Sequence, residues 1–531
     1  MADTVAATVA ELFCAELGLS ACELDDSFFQ LGGDSLLAGR VLTRLSDLYA
    51  VRIPFAGMYS DGTPRAIARV IEELRAAPRA SRRSVASLAR RRRRTWFPLA
   101  LSQEALYVMD AATHGAGLFN NVGILRFSGD IDPDALRAAV VETVRRQSAL
   151  RLIFGEDGGV PVQRFTEAPP EIVSCDLRGE SAGALARRVR REQLRGFDLR
   201  AAPPARFTVA RVEDNAWVLL TTIHHIVFDG MSQNLLMEDL AHAYECITAG
   251  GTPRSPLSWD YADFAEWQRD TLRGDRLEAH LDAVQAALAR TPAPRLARDV
   301  TSSKSFLGRA RPFAIGPEST LGLRQLAASC DSTLFVVLAA AMLDFIALRT
   351  GDQRPVIAIQ ASNRLVEGTE MMVGCFANSV HVTVEHHSSL DPADHVLQVR
   401  KAVSEALLHQ EMPIEVALRL LGERGMGAPG PEYLPQVGFT LQPARAEHRN
   451  IPGGVIDAVF VTQEGDAVDP TSFSLVLELF SENNALAGVT HHPVAEWSDV
   501  GFARAEAEMS AAFTRFGSTG ASSAGKQKVP N

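Results

Sequence analysis

The stretch His224-His225-Ile226-Val227-Phe228-Asp229-Gly230 decides how the larger part of this chain is interpreted. It follows the apolar run Trp217–Ile223, which predicts a buried strand, and a predicted helix begins after it at Met231. A histidine at such a strand end can act as a general base, because its pKa lies near neutral pH. Asp229 cannot lie directly beside that histidine in an extended chain. In a tight turn, which Gly230 permits, Asp229 can instead brace the loop by pairing with an arginine.

Two other histidine pairs show that spacing alone is a weak signal. His386-His387-Ser388-Ser389-Leu390-Asp391-Pro392 has the same spacing, but aspartate followed by proline is typical of a helix start, with Asp391 as N-cap. His491-His492-Pro493 has no aspartate after it. We expect neither pair to be catalytic.

A second motif, Leu31-Gly32-Gly33-Asp34-Ser35-Leu36, lies near the N-terminus. Its glycines permit a tight turn that exposes Ser35 at the start of a helix, where the positive helix end suits a phosphodiester on the hydroxyl. Helices are predicted over 4–18 and 35–49, and Thr63-Pro64 predicts a third with Thr63 as N-cap. A plain N-cap serine is the structural alternative, but the surrounding helices favour a small helical domain built around Ser35.

Composition and charge exclude several classes of protein. The 531 residues are too many for one compact domain, and 46% hydrophobic with 22% charged residues is ordinary for soluble globular protein. The net charge of −11 argues against a general nucleic-acid binder. The stretch from Arg79 to Arg94 holds eight arginines and no acid, which favours a solvated linker over a docking surface for an acidic partner.

Cysteine usage and hydropathy point to a reduced compartment. The six cysteines are scattered without a CxxC pair, so we expect neither a disulfide framework nor a metal site. The N-terminus lacks the basic and apolar regions of a secretory signal, and the longest apolar runs are too short to cross a bilayer. The sequence therefore predicts a cytoplasmic protein without a membrane segment.

Hydrophobic periodicity predicts a mixed α/β texture from Phe97 onward, which repeats after a polar boundary near 270–300. The glycine- and serine-rich tail is expected to be disordered. The predicted domains are 1–76, the arginine-rich linker 77–96, an N-lobe 97–275, a C-lobe 276–516 and the tail 517–531.

Residues 4–76, including Asp26-Ser27-Phe28-Phe29 before the glycine motif, resemble the peptidyl carrier domain of nonribosomal peptide synthetases. The resemblance implies a small all-α four-helix bundle. It also implies a 4′-phosphopantetheine arm on Ser35, with Asp34 beside it, added by a separate phosphopantetheinyl transferase.

Residues 97–515 resemble the condensation domain of the same enzymes, which is related to chloramphenicol acetyltransferase. The resemblance implies an α/β fold of two lobes. The matching stretches come in family order: Phe97-Pro98-Leu99-Ala100-Leu101-Ser102-Gln103, Arg146-Gln147-Ser148-Ala149-Leu150-Arg151, Phe197-Asp198-Leu199, the histidine motif, Tyr261-Ala262-Asp263-Phe264-Ala265-Glu266-Trp267-Gln268, Asn363-Arg364, Val373-Gly374-Cys375-Phe376-Ala377-Asn378 and His409-Gln410-Glu411-Met412-Pro413.

The resemblance also implies roles for single residues. His225 is the catalytic histidine, acting as a base or positioning the nucleophile. His224 and Gly230 share the catalytic site, where the Gly230 N–H could lie near the reacting carbonyl. The implied structural residues are Asp229, its partner Arg364, the bracing Arg146 and the tunnel residue Asn378.

The sequence departs from the family pattern at three places. The second motif usually reads Arg-His-Glu and here reads Arg146-Gln147-Ser148, an aromatic residue is replaced by Met231, and an aspartate in a late strand is replaced by Ser474. These changes leave the His225–Asp229 core intact, but they leave room for unusual chemistry.

The function implied is peptide-bond formation between a donor thioester on the carrier and the amine of an acceptor aminoacyl thioester. Other synthetase modules, or free-standing adenylation and carrier proteins, would be the partners. Ester formation or chain release onto a free amine or alcohol is a second possibility, since this domain comes last. An epimerisation domain normally reads Val-Ser-Trp-Arg where this chain has Met231-Ser232-Gln233-Asn234, and a non-catalytic recruitment platform would be expected to lose the histidine pair.

Overall fold

The structure is a computed structural model. It describes residues 2–28, 31, 41–42, 44–45, 48–49, 51, 53, 58, 62–76, 95–113, 117–180, 183–288, 295–296, 307–366, 368–387, 389–425, 434–442, 448–459, 465–468, 473–482 and 485–526.

In the N-terminal domain, the described residues include two complete helices, α1 (Ala2–Leu17) and α2 (Pro64–Ala76). Phe13 and Phe28 are fully buried between them, with ring centroids 4.6 Å apart in an edge-to-face arrangement. The predicted N-cap is confirmed, because the Thr63 hydroxyl accepts the N–H of Ala66 at 3.2 Å. This domain also touches the C-terminal lobe, where the Ser27 hydroxyl donates to the carboxylate of Asp331.

Two predicted features fall outside the described residues. They are Asp34 and Ser35, within residues 32–40, and the arginine-rich stretch from Arg79 to Arg94.

The first lobe contains a six-stranded sheet and a small three-stranded sheet. Its elements are β1 (Phe97–Pro98), α3 (Leu101–Ala112), β2 (Asn120–Gly129), α4 (Pro133–Arg146), β3 (Leu152–Asp157), β4 (Val160–Phe165), β5 (Glu171–Asp176), α5 (Ala184–Leu194), β6 (Ala205–Glu213), β7 (Ala216–His224), α6 (Gly230–Thr248), α7 (Tyr261–Thr271) and α8 (Asp275–Leu288). Strands β2 and β6 flank β7 as antiparallel neighbours, so β7 is an interior strand. Every residue of β7 except Trp217 is buried, which accounts for its predominantly apolar sequence.

The second lobe contains a seven-stranded sheet in the order β10-β9-β11-β15-β16-β8-β14. The elements of this part of the chain are β8 (Leu307–Ile315), α9 (Pro317–Ser329), α10 (Leu334–Thr350), β9 (Val356–Ala361), β10 (Asn378–Thr383), α11 (Pro392–Leu407), α12 (Ile414–Glu423), β11 (Val437–Gln442), β12 (His448–Ile451), β13 (Gly454–Val459), β14 (Gly465–Val468), β15 (Leu475–Glu482), β16 (Ala485–Pro493) and α13 (Asp499–Lys526). The predicted cap of α11 is confirmed, because the Asp391 carboxylate accepts the N–H of Ala393 at 2.9 Å.

The predicted boundary between the lobes needs one correction. Strands β12 and β13 lie within the predicted C-lobe 276–516, but they join the sheet of the first lobe. Strand β13 runs antiparallel to β2, with Gly454 opposite Gly129 and Val459 opposite Ile124. A hairpin from the second half of the chain therefore completes the sheet that carries β7.

The predicted disordered tail 517–531 also needs correction, because α13 continues to Lys526. Its glycines pack against α9 at backbone contact distance. A Cβ on Gly322 would lie 2.1 Å from the carbonyl oxygen of Gly517, and one on Gly520 would lie 2.0 Å from that of Gly322. The small residues that suggested disorder instead permit close packing of two helices.

In the described part of the chain, no single helix is long and apolar enough to cross a membrane. Helices α9 and α10 pass that test only as a pair and are bent by 107° relative to each other. Residues 336–347 of α10 are all buried in the lobe, which accounts for their apolar sequence.

Candidate active site

The ring of His225 is held in one orientation at the end of β7. Its backbone N–H donates to Phe119 at 2.7 Å, and residues His225–Val227 form a single 3₁₀ turn. The Nδ1 atom lies 2.5 Å from the carbonyl oxygen of Phe228, so Nδ1 must carry the proton. The partly exposed ring therefore keeps its Nε2 lone pair available to a substrate.

The neighbouring His224 is 1% exposed and is bonded through both ring nitrogens. Its Nδ1 accepts the N–H of Ile226 at 3.0 Å, so Nε2 carries the proton and faces Asp110 at 3.3 Å. Burial lowers the pKa of His224, although the hydrogen bond with Asp110 opposes this shift. The structure thus places His224 as a neutral ring that fixes the loop, with no free nitrogen for a substrate.

The Asp229 carboxylate is fully enclosed by hydrogen-bond donors. Its Oδ1 accepts from the Ser232 N–H at 2.9 Å and from the Ser232 hydroxyl at 2.7 Å, which caps the start of α6. Its Oδ2 accepts the N–H groups of Phe376 and Ala377 at 3.1 and 3.3 Å. One carboxylate therefore joins the histidine loop to the segment that precedes β10.

The structure also brings Asp229 and Arg364 together at 2.9 Å, with side chains only 2% and 3% exposed. Burial raises the pKa of the Asp229 carboxyl, but the Arg364 charge and the Ser232 hydrogen bonds outweigh it and hold this pKa below its usual value. The other Arg364 terminal nitrogen donates to the carbonyls of Thr369 and Met372. The guanidinium also stacks 4.1 Å from the ring centre of Phe376. The pair therefore serves structure rather than proton transfer.

A further link at this site was missed by sequence reasoning. The Gln147 side-chain oxygen accepts the N–H of Val373 at 2.8 Å, and its nitrogen donates to Asp239 at 2.7 Å and to the carbonyl of Met371 at 3.0 Å. The next residue of the same segment, Gly374, donates its N–H to the Ser232 hydroxyl at 3.1 Å. The departure at position 147 from the family pattern was the only signal for this contact.

The side chains of Arg146 and Asn378 form their hydrogen bonds outside the Asp229–Arg364 pair. Arg146 forms an ion pair with Asp239 at 2.9 Å and so braces α4 against α6. Asn378 donates its side-chain N–H to the carbonyl of Gln410 at 2.8 Å and is buried at the start of β10. Both side chains therefore hold neighbouring segments of the backbone together.

Gly230 is the first residue of α6, where the backbone N–H has no acceptor within the helix. A Cβ at this position would lie 3.3 Å from Nε2 of Gln442, which belongs to β11 of the other lobe. Gln442 in turn donates to Glu478 on β15 at 3.2 Å. Sequence reasoning did not identify Gln442 or Glu478, because neither lies in a recognisable motif.

The predicted attachment site, Ser35, lies outside the described residues, and only the chain that leads towards it is seen. Phe28 is buried and its N–H donates to Gly62 at 2.9 Å, whereas Leu31, three residues later, is partly exposed. Leu31 is the last described residue before the Gly32-Gly33-Asp34-Ser35 segment. Within the described residues, no group of three His, Cys, Asp or Glu side chains could hold a metal ion.

Comparison with known proteins identifies two regions of the chain. A family model described as the condensation domain matches residues 93–427, and one described as the phosphopantetheine attachment site matches residues 7–71. Malpinin synthetase from Mortierella alpina is 27% identical over 503 residues, 92% of this chain. Phosphinothricin tripeptide synthetase PhsC from Streptomyces viridochromogenes is 31% identical over 422 residues, 76% of this chain. The chain spans only 6% and 37% of the lengths of these two relatives.

Solved structures share the fold of the larger part. The X-domain from teicoplanin biosynthesis has a TM-score of 0.71 at 21% identity, covering 81% of this chain and 97% of that one. The starter condensation domain of rhizomide synthetase RzmA has a TM-score of 0.65 at 16% identity, covering 80% and 97%. The predicted order of a carrier followed by a two-lobed condensation fold is confirmed. With more than half of its length matched by the family model, the chain belongs to the condensation-domain family and carries a phosphopantetheine attachment domain ahead of that domain.

Proposed function

We propose that this chain forms amide bonds in nonribosomal peptide synthesis, with His225 at the reacting centre. The observation that carries the proposal is the fixed tautomer of His225. Because Nδ1 is bonded to the carbonyl of Phe228, the Nε2 lone pair is left for a substrate amine.

In the proposed reaction, the acceptor amine attacks the carbonyl carbon of the donor thioester. A C–N bond forms, the C–S bond breaks, and the amine proton passes to Nε2 of His225. The same proton then neutralises the departing thiolate, so no net proton is gained or lost. The Gly230 N–H, free of any acceptor within the helix, is suited to stabilise the carbonyl oxygen while it carries negative charge.

The remaining site residues hold this arrangement in place. Asp229 and Arg364 fix the loop and the start of α6, and His224 fixes the backbone on either side of His225. Rigid positioning of two reactants accounts for a large share of the rate enhancement in such reactions.

Ser35 is proposed as the residue that carries 4′-phosphopantetheine, which presents the donor as a thioester on a flexible arm. A separate phosphopantetheinyl transferase would add this group, and other synthetase modules or free-standing adenylation and carrier proteins would supply the substrates. We also propose that the protein works in the cytoplasm. All six cysteines are free, which fits a reducing compartment.

The test is to load an acyl group on the carrier and to supply either an aminoacyl thioester, a free amine or an alcohol. Mass spectrometry of the products would identify an amide on the acceptor carrier if the proposal holds. Product only from free amines or alcohols would replace it with chain release or ester formation. No product from any acceptor would reject catalysis.

A further inference from the structure

A carboxylate with no cationic partner among the described residues lies on the face of the second lobe that meets the catalytic loop. Along β15, the side chains of Leu475, Leu477 and Leu479 are buried in the core of that lobe. Because successive strand residues point to opposite faces, Glu478 points away from the core. Its side chain is partly buried, which weakens its hydration, so a cation beside it would stabilise its charge.

The position of Gln442 shows that this face meets the catalytic loop. Val437 and Phe439 of β11 are buried in the same core as the leucines, so Gln442 lies on the opposite face together with Glu478. The Gln442 amide lies 3.3 Å from the position of a Cβ on Gly230. Glu478 is therefore two contacts away from the backbone N–H proposed to face the reacting carbonyl.

Among the described residues, the Glu478 side chain has a single hydrogen-bond partner. Its Oε1 accepts from Gln442 at 3.2 Å, and among the described residues no lysine, arginine or histidine lies within salt-bridge distance of it. Its cross-strand neighbours are Thr440 on β11 and Val489 on β16, neither of which carries a charge. A half-buried carboxylate of this kind favours a positively charged ligand.

We propose that Glu478 and Gln442 form a subsite for a positively charged group of the substrate, an ammonium or guanidinium separate from the attacking amine. The inference rests on the proposed function, because it takes the Gly230 loop as the reacting centre. The Gln442 amide holds the carboxylate in place, and its carbonyl oxygen supplies a second acceptor for the N–H groups of the cation. The charged group could belong to the acceptor or to the donor, since both must approach the same loop.

Binding is measured first, because it does not depend on turnover. Lysyl-pantetheine and norleucyl-pantetheine, each as a non-reactive amide analogue, differ in a terminal ammonium group. We expect the holo protein to bind the lysyl analogue about tenfold more tightly, and Glu478→Gln to remove that preference while leaving the affinity for the norleucyl analogue unchanged. Glu385→Gln, at an exposed carboxylate in the same lobe, is the matched control and should change neither affinity.

A second arm distinguishes the two sources of the charge. The carrier is loaded with Nα-acetyl-lysyl or Nα-acetyl-norleucyl groups, and the rate of transfer to a neutral acceptor is compared. A preference for lysine that Glu478→Gln abolishes supports the subsite. If the preference appears in the binding arm, the subsite serves the acceptor, and if it appears in the transfer arm, the subsite serves the donor. Equal affinities for the lysyl and norleucyl analogues, together with equal transfer rates for the lysyl and norleucyl donors, would overturn the proposed subsite. This holds even if the protein has full condensation activity. A lysine preference in binding without any product would instead keep the subsite and reject the proposed function.

Discussion

The side-chain oxygen of Gln147 accepts the backbone N–H of Val373 at 2.8 Å, across 226 positions of sequence. Through this contact the end of α4 holds the segment that begins at Val373. In that segment, the N–H of Gly374 donates to Ser232 and the N–H of Phe376 donates to Asp229. The loop that carries His225 and Asp229 is thus tied to the end of α4, where Gln147 follows the last helical residue.

Replacing Gln147 by alanine should weaken both stability and catalysis. The buried N–H of Val373 and the carboxylate of Asp239 would each lose a partner, at a cost of about 1–3 kcal/mol in the free energy of unfolding. Urea denaturation and the condensation rate would measure the two effects. The control is Gln360→Ala, at an exposed glutamine on β9 that should change neither. An unchanged stability for Gln147→Ala would contradict the role assigned to this contact.

Replacing His225 by alanine should abolish condensation without preventing loading of the carrier. General-base catalysis usually contributes about 10²–10⁴-fold to a rate, and no other described nitrogen of the loop is free to replace Nε2. Single-turnover product formation and the intact mass of the loaded carrier are the two measurements. A His225→Ala protein with a normal rate would remove His225 from the reaction.

Removing one member of the Asp229–Arg364 pair should destabilise the protein strongly. Asp229→Ala leaves a buried guanidinium without its counter-charge, which typically costs about 3–5 kcal/mol. The pKa of Asp229 is lowered in the folded state, so the stabilisation is complete above its usual value of 3.8 and is lost as the pH falls through the folded value. Between pH 5 and 8 the difference in unfolding free energy between wild type and Asp229→Ala should therefore be constant. A difference that shrinks within this range would contradict the assignment.

Acid should destabilise the second lobe through His395. Burial, followed by the charge of His386, lowers the pKa of His395 to about 4. His386 itself bonds to Asp344, which also pairs with Arg515. Because the folded-state pKa lies below the ordinary value of 6.5, the stabilisation is present above pH 6.5 and is lost as the pH falls towards 4. The total effect is on the order of 3 kcal/mol.

Urea denaturation at pH 7 and pH 5 tests this expectation. Wild type should lose more stability on acidification than His395→Phe does, while the exposed His387→Gln control should behave like wild type. Equal losses in wild type and His395→Phe would show that His395 does not carry the effect.

Ser35→Ala should prevent attachment of the prosthetic group. Incubation with coenzyme A and a phosphopantetheinyl transferase should raise the mass of the wild-type protein and leave that of the variant unchanged. Ser27→Ala is a control in the same domain, because its hydroxyl is bonded to Asp331 and is not in the glycine motif. A mass increase on Ser35→Ala would place the group elsewhere.

The sequence predicted local features better than distant contacts. The strand that leads to His224, the caps at Thr63 and Asp391 and the helix after Gly230 all follow from neighbouring residues, and the structure agrees with them. The Asp229–Arg364 pair joins residues 135 positions apart, and only the resemblance to a family suggested it. Gln147 departs from that family's sequence pattern, so neither periodicity nor resemblance could predict its contact with Val373.

The missed elements have a similar explanation. Helix α8 lies in the polar stretch that we interpreted as a boundary. Its buried residue Leu281 packs in a cluster with Leu101 and Met412, which come from distant parts of the chain, so the local sequence did not reveal the helix. The glycines of α13 suggested disorder because their packing partner, Gly322, lies almost 200 residues away. A local pattern contains no information on which distant surface will cover it.

The β12–β13 hairpin has a consequence for biosynthesis of the protein. The ribosome releases β2 more than 300 residues before the hairpin that pairs with it. Until then β2 is an edge strand with unpaired backbone groups, which is a template for aggregation. Pairings of such large sequence separation are also slow to form. A nascent or truncated chain that ends before residue 448 should therefore depend on chaperones, and cutting the gene between the lobes should yield an insoluble first half.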